Sequence, residues 1–154
     1  ISNNNKPLSS FNYKDFLIYP SYAAGGAFIK KRINTGLFKK LKKGEVYYLI
    51  CLYMAFLINF CLNKMNSTNT ISLDGPITKN NCIMKILSTL RDKQIVLKNK
   101  KEIGTSLGAT NLFDIKKKNK LYTKAINKFQ NKNLKNVYNI WEENLYKKKL
   151  FNSS

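Results

Sequence analysis

Lysine is the residue type in this chain best placed to do chemistry, and it comes in runs. Lys30, Lys31 and Arg32 open a basic stretch that continues through Lys39, Lys40, Lys42 and Lys43, with Asn34 and Thr35 between. A second group holds Lys98, Lys100 and Lys101. A third holds Lys116, Lys117, Lys118 and Lys120, and Lys147–Lys149 lie near the end. Ammonium groups at this density neutralise phosphates and release their counterions. The Asn34 amide can donate and accept in one plane, which suits a base edge, and the same side chain can cap a helix. Each lysine taken singly also fits a solvated face. The acidic residues Asp15, Glu45, Asp74, Asp92, Glu102, Asp114, Glu142 and Glu143 form no catalytic motif. The chain has no His, which removes the commonest general base and metal ligand. Cys51, Cys61 and Cys82 stand far apart with no CxxC pair, so thiols in a reducing compartment are expected. No metal and no cofactor are expected.

The charge balance has the same direction over the whole chain. Its 154 residues include 28 Lys+Arg against 8 Asp+Glu, a net charge of +20. All the basic residues except Arg32 and Arg91 are Lys, and Asn is abundant, which suggests AT-rich coding. Coding bias inflates Lys but does not explain the scarcity of acids. Self-repulsion at this level favours a polyanion partner, and nucleic acid is the first reading. A hydrophobic fraction of 44% supports a core, and the length fits one domain with tails.

The elements that must position these residues alternate. Asn34-Thr35 can cap a short helix to Lys43, with Gly44 ending it. Val46–Leu62 is apolar apart from Asn59, and its periodicity does not separate a membrane span from a strand followed by a helix. Val46–Ile50 favours a strand and Met54–Leu62 a helix. The flanks are basic on both sides, which blurs any positive-inside preference. Lys64–Asn80 reads as a surface loop with an Asp74-Gly75-Pro76 turn. Asn80 or Asn81 can cap a helix through Arg91, with Ile83, Ile86, Leu87 and Leu90 on one face. Short strands are expected at Gln94–Leu97 and Leu112–Ile115, with a helical turn at Lys100–Leu107 between them. Helices are expected at Leu121–Gln130 and Lys132–Lys149. In the last, Leu134, Val137, Trp141 and Leu145 make a core stripe. The organisation expected is an extended N-terminal segment at 1–29, an α/β core at 30–120 and a helical extension at 121–154.

Several short passages, taken in order, resemble the kink-turn RNA-binding superfamily of ribosomal proteins. They are Asn34-Thr35 followed by a strand ending at Cys51, Leu87–Gly104 with Lys98, Lys100 and Ile103-Gly104, and the Gly108-Ala109-Thr110-Asn111 turn. Tyr19-Pro20-Ser21-Tyr22 and Ala125-Ile126 with Trp141 are similar to outer segments of its large-subunit L-seven-a type. The chain departs from that pattern where Arg32 replaces a glycine and where Leu52–Phe56 is wholly apolar. The resemblance implies a three-layer α/β/α sandwich of the kink-turn type. It implies a structural constituent of the large subunit in the cytosolic ribosome, with ribosomal RNA and neighbouring ribosomal proteins as partners, no catalysis, no membrane and no small-molecule substrate. The RNA-binding residues it implies are Lys30, Lys31, Arg32, Asn34, Thr35, Lys39, Lys40, Lys42, Lys43, Lys98, Lys100, Lys101, Thr110, Asn111, Lys116, Lys117 and Lys118. The alternative is a single-pass membrane subunit of an organellar complex, with Val46–Leu62 spanning.

Overall fold

The computed structural model describes residues 17–20, 41–99, 123–128, 131 and 133–148. They form helices α1 (Lys43–Lys64), α2 (Asn81–Leu90) and α3 (Leu134–Lys147), and strands β1 (Ile71–Leu73), β2 (Val96–Asn99) and β3 (Thr123–Ala125). The chain divides into two compact units, one of residues 1–53 and 131–154, the other of residues 54–130.

Helix α1 replaces the strand-plus-helix expected over Val46–Leu62. It begins at Lys43, so Gly44 sits in its first turn and does not terminate an earlier helix. The start signal is Glu45. Its carboxylate accepts the Lys42 backbone N–H at 2.8 Å, while the Lys42 carbonyl accepts from Val46 at 3.1 Å. This is the returning half of a capping box, and it outweighs the strand preference of Val46, Tyr47 and Tyr48. The end is a Schellman turn. Asn66 takes the left-handed conformation with φ 51, the Ser67 N–H bonds the Leu62 carbonyl and the Asn66 N–H bonds that of Asn63, both at 3.0 Å. By length and composition α1 could cross a membrane. One face, with Leu49, Leu52, Phe56 and Phe60, is nevertheless buried within protein, as a core helix requires. The opposite face carries exposed Tyr47, Ile50, Met54 and Cys61. A helix apolar on every side has no amphipathic period to read, which is why its sequence leaves the burial pattern open.

In the unit of residues 1–53 and 131–154, α3 forms as its stripe predicts. Leu134, Val137, Trp141 and Leu145 are all buried, together with Tyr138. Trp141 is fully enclosed, and its indole N–H donates to the Ile18 carbonyl at 2.7 Å. The Tyr19 ring stacks parallel to the indole at 6.3 Å, and Tyr138 meets it at 6.0 Å and 31°. Tyr19 therefore works as a hydrophobic anchor. Burial pushes its phenol above the ordinary value, and a hydrogen bond from Asn144 offsets part of that.

In the unit of residues 54–130, β1, α2 and β2 form a β-α-β crossover. β1 and β2 pair in parallel with Ile71 opposite Val96 and Leu73 opposite Lys98. β3 adds antiparallel to the other edge of β2, giving the sheet order β1-β2-β3. The loop expected at Lys64–Asn80 thus contains a strand, and the helix expected at Leu121–Gln130 gives way to one. Thr123, Lys124 and Ala125 have no strong strand signal of their own. Pairing with β2 supplies their backbone partners, and the Ile126 N–H continues the ladder to the Val96 carbonyl at 2.9 Å. The β2 strand starts two residues later than expected, so Ile95 lies outside it and is 58% exposed, while Val96 is buried. The strand expected at Leu112–Ile115 and the turn at Lys100–Leu107 lie outside the described residues. A mixed α/β architecture therefore holds.

Candidate functional site

The sheet of the unit of residues 54–130 has an apolar face that changes character along the strands. Successive side chains alternate between faces, and partners opposite in register share one. Ile71, Leu73 and Val96 are buried on the face toward α2, whose Ile83, Met84, Ile86 and Leu87 are buried with them. Ser88 fastens α2 to the strand edge by donating to the Ile126 carbonyl at 3.1 Å. At the carboxyl end of the parallel pair, the same face presents Lys98, directly opposite Lys124 on β3. There the sheet and α2 flank an open, shallow cleft of about 340 Å³. Among the described residues, Lys85, Lys98, Lys124, Asn81 and Asn127 line it together with Met84, Ala125 and Ile126. No carboxylate among the described residues belongs to that lining. Crossover α/β units take ligands at this end of their strands.

The chain enters α2 through a tight turn that follows β1. Asp74 accepts the Gly75 N–H at 2.7 Å, and Gly75 adopts φ +73, a conformation that side chains other than glycine's strain to reach. Pro76 then starts a short 3-10 helix, Gly75–Lys79, in which the Thr78 hydroxyl donates to the Gly75 carbonyl at 2.7 Å. Of the two caps the sequence offers, Asn80 and Asn81, it is Asn80 that caps α2, by accepting the Ile83 N–H at 3.1 Å. Asn80→Ala should cost about 1 kcal/mol in urea unfolding through loss of this cap. Asn81, the first residue of α2, is thereby set at the cleft. The arrangement can hold an anion: three lysines line one cleft, two asparagines there can donate, and the first residue of α2 belongs to the lining.

Of the residues implied as RNA contacts, Lys98 lies in this cleft. Lys42 and Lys43 are exposed at the start of α1, away from the short helix expected to carry them. Lys30, Lys31, Arg32, Asn34, Thr35, Lys39, Lys40, Lys100, Lys101, Thr110, Asn111, Lys116, Lys117 and Lys118 lie outside the described residues. Sequence reading did not bring out Lys85, Lys124, Asn81 or Asn127 as a group. The available signal was the Ile71-Ser72-Leu73 alternation running into Asp-Gly and then an Asn-capped helix, a strand-turn-helix entry. No group of three metal-ligating side chains occurs among the described residues.

A strand-turn-helix unit with a cationic cleft at its strand ends defines an α/β domain suited to phosphate-bearing ligands. The family model for the C-terminal domain of the FGGY carbohydrate kinases matches residues 3–124. The chain belongs to that family. Among solved structures, a carbohydrate kinase from Novosphingobium aromaticivorans is 24% identical with a TM-score of 0.52, and the match covers 60% of this chain and 20% of that one. At that identity the likeness is one of fold, and this chain spans about a fifth of that kinase's length. None of the curated proteins compared matches the chain.

Family membership overturns the ribosomal resemblance. The α/β class stands, but the kink-turn sandwich has no support, and ribosomal RNA and ribosomal proteins fall away as partners. The expectations of no catalysis and no small-molecule substrate fall as well, because the family is one of kinases named for carbohydrates. The membrane-subunit alternative fares no better, since α1 lies wholly inside the matched segment. The physical reason is that net charge measures attraction for anions without distinguishing their carrier. The passages that suggested the kink-turn family were a helix, a short strand and a turn, which any β-α-β unit contains, with lysines that the basic composition of the whole chain supplies.

Proposed function

We propose that this chain is the phosphate-donor-holding part of a carbohydrate kinase, with a nucleoside triphosphate seated at the cleft and a sugar hydroxyl as the acceptor. What carries the reading is the family match, which takes in the Asp74–Asn81 turn and the cleft as far as Lys124. Phosphoryl transfer asks little covalent chemistry of a protein. Charge spreads over the oxygens of the transferring group, so catalysis is mainly positioning and electrostatic stabilisation. Lys85, Lys98 and Lys124 supply point charges for phosphate oxygens. Asn81 and Asn127 orient polar atoms of the ligand, and Met84 and Ile126 offer an apolar surface. The turn at Gly75 fixes where α2 begins, and so where Asn81 and Lys85 stand. The three cysteine thiols support a reducing compartment such as the cytosol for this work.

The test is calorimetric titration of the purified chain with ATP. A dissociation constant below about 1 mM is expected, the upper end of ordinary substrate affinities. Absence of binding at that concentration would overturn the proposal.

A further inference from the structure

Helix α1 carries an apolar seam on each of two sides. The inner one runs through Leu49, Leu52 and Phe56, all buried. The outer one runs through Tyr47, Ile50, Met54, Leu57 and Cys61, and Lys64 continues it. Tyr47 is 54% exposed, Ile50 46% and Met54 37%, while Leu57 is half-buried and Cys61 exposed. Half of the large hydrophobic side chains exposed among the described residues therefore stand on this one seam. Single surface hydrophobics are ordinary, but an ordered row of them marks an interaction surface. A helix apolar on all sides is one that is covered on all sides.

The spacing says what covers it. From Tyr47 to Lys64 the seam advances by alternating steps of three and four residues, the heptad spacing with which one helix meets another of its kind. The order of the steps is the same read from either end. A second α1 running antiparallel therefore meets the first layer for layer, with Met54 against Leu57, Ile50 against Cys61 and Tyr47 against Lys64. Parallel pairing instead sets Lys64 against Lys64, and Lys43, the preceding position of the same repeat, against Lys43. Charge thus selects the antiparallel register. In it the Lys64 ammonium, 5.4 Å from the centre of the Phe60 ring of its own helix, gains the Tyr47 ring of the other.

We infer that the outer seam of α1 is the contact surface of a homodimer, in which two copies of this chain pack antiparallel across a two-fold axis. The inference goes beyond the kinase reading and does not depend on it. The seam spans about 26 Å from Tyr47 to Lys64. That is short for a permanent interface, so the dimer exchanges with monomer in the micromolar range.

The experiment is sedimentation equilibrium of the full chain from about 1 to about 200 μM, in about 0.5 M salt to screen the repulsion between two copies of net charge +20. The wild type should pass from monomer to dimer over that range. Ile50→Glu buries an uncompensated charge in the seam and should weaken dimerisation at least about tenfold. Ile95→Glu, at an exposed hydrophobic residue outside α1, should leave it unchanged. Both variants should keep the wild-type circular dichroism, since both side chains are exposed. Ile50→Cys, oxidised with diamide, should give a covalent dimer whose disulfide joins the new thiol to Cys61 of the other copy. If Ile50→Glu fails to fold, the disulfide map decides alone. A wild type that stays monomeric throughout would overturn the inference. Equal weakening by Ile95→Glu would overturn it too, by showing unspecific adhesion. A disulfide joining two introduced thiols, or two copies of Cys61, would reject the antiparallel register. Loss of the dimer on phosphatidylcholine vesicles, with the chain floating alongside them, would assign the seam to lipid and overturn the proposal.

Discussion

Trp141→Ala should destabilise the unit of residues 1–53 and 131–154 by about 3–5 kcal/mol, the usual cost of emptying a large aromatic site. Trp141 is fully buried on α3, in contact with the rings of Tyr19 and Tyr138. Its removal forfeits the apolar burial of the indole, two aromatic contacts and the hydrogen bond to Ile18. Trp141→Phe separates these contributions. A phenyl ring keeps much of the packing but leaves the Ile18 carbonyl without the indole N–H that now meets it at 2.7 Å. A buried acceptor left in that state costs about 1–3 kcal/mol. Urea unfolding followed by far-ultraviolet circular dichroism measures both, since the chain has a single Trp and fluorescence would be lost with it. A cost below about 1 kcal/mol for Trp141→Ala would mean that this segment's core lies elsewhere.

Arg91→Ala should cost about 3 kcal/mol, for a different reason. Arg91 is the C-cap of α2, and its guanidinium ties three segments of the unit of residues 54–130 together. One arm donates to the Asn59 carbonyl in α1 at 3.0 Å. The other donates to the Ser67 carbonyl at 3.3 Å and to the Gln94 side chain at 3.0 Å. Gln94 itself donates onward to the carbonyls of Ser67 and Asn69. The planar fork serves divergent acceptors that a single ammonium cannot reach together. Arg91→Lys should therefore recover less than half of the loss, although it keeps the charge. Full recovery by Lys would show that charge near two helix C-termini matters more than the fork. Loss of this tie also loosens the entry to β1 and β2, so Arg91→Ala should weaken ATP binding in proportion to its loss of folded protein and no further.

Some elements were legible in the residues. The α3 stripe at Leu134, Val137, Trp141 and Leu145 has the helical period and packs as that period demands. Asn80 and the Ile83, Ile86 and Leu87 face identify α2 and its start, because a cap and an amphipathic face are local features. The same holds for the Asp74-Gly75-Pro76 turn. By contrast, β1 and β3 are three residues each. Strands so short carry little propensity, and their hydrogen bonds come from chain far away in sequence. The cleft was illegible for the same reason. Lys85, Lys98 and Lys124 are spaced without period, and only the β2–β3 register and the α2 crossover bring them to one place.

The residues alone determined that this chain attracts anions, has a core, lacks histidine chemistry and contains one Asn-capped helix and one helix with an apolar stripe, because charge, apolar fraction, capping and helical period act over a few residues or over the whole composition. Tertiary structure alone decided that the apolar stretch after Lys43 is one packed helix, that Thr123–Ala125 is a strand, and that three lysines face one cleft. Those outcomes depend on which backbone groups find partners across long sequence separations, and no local preference encodes that pairing.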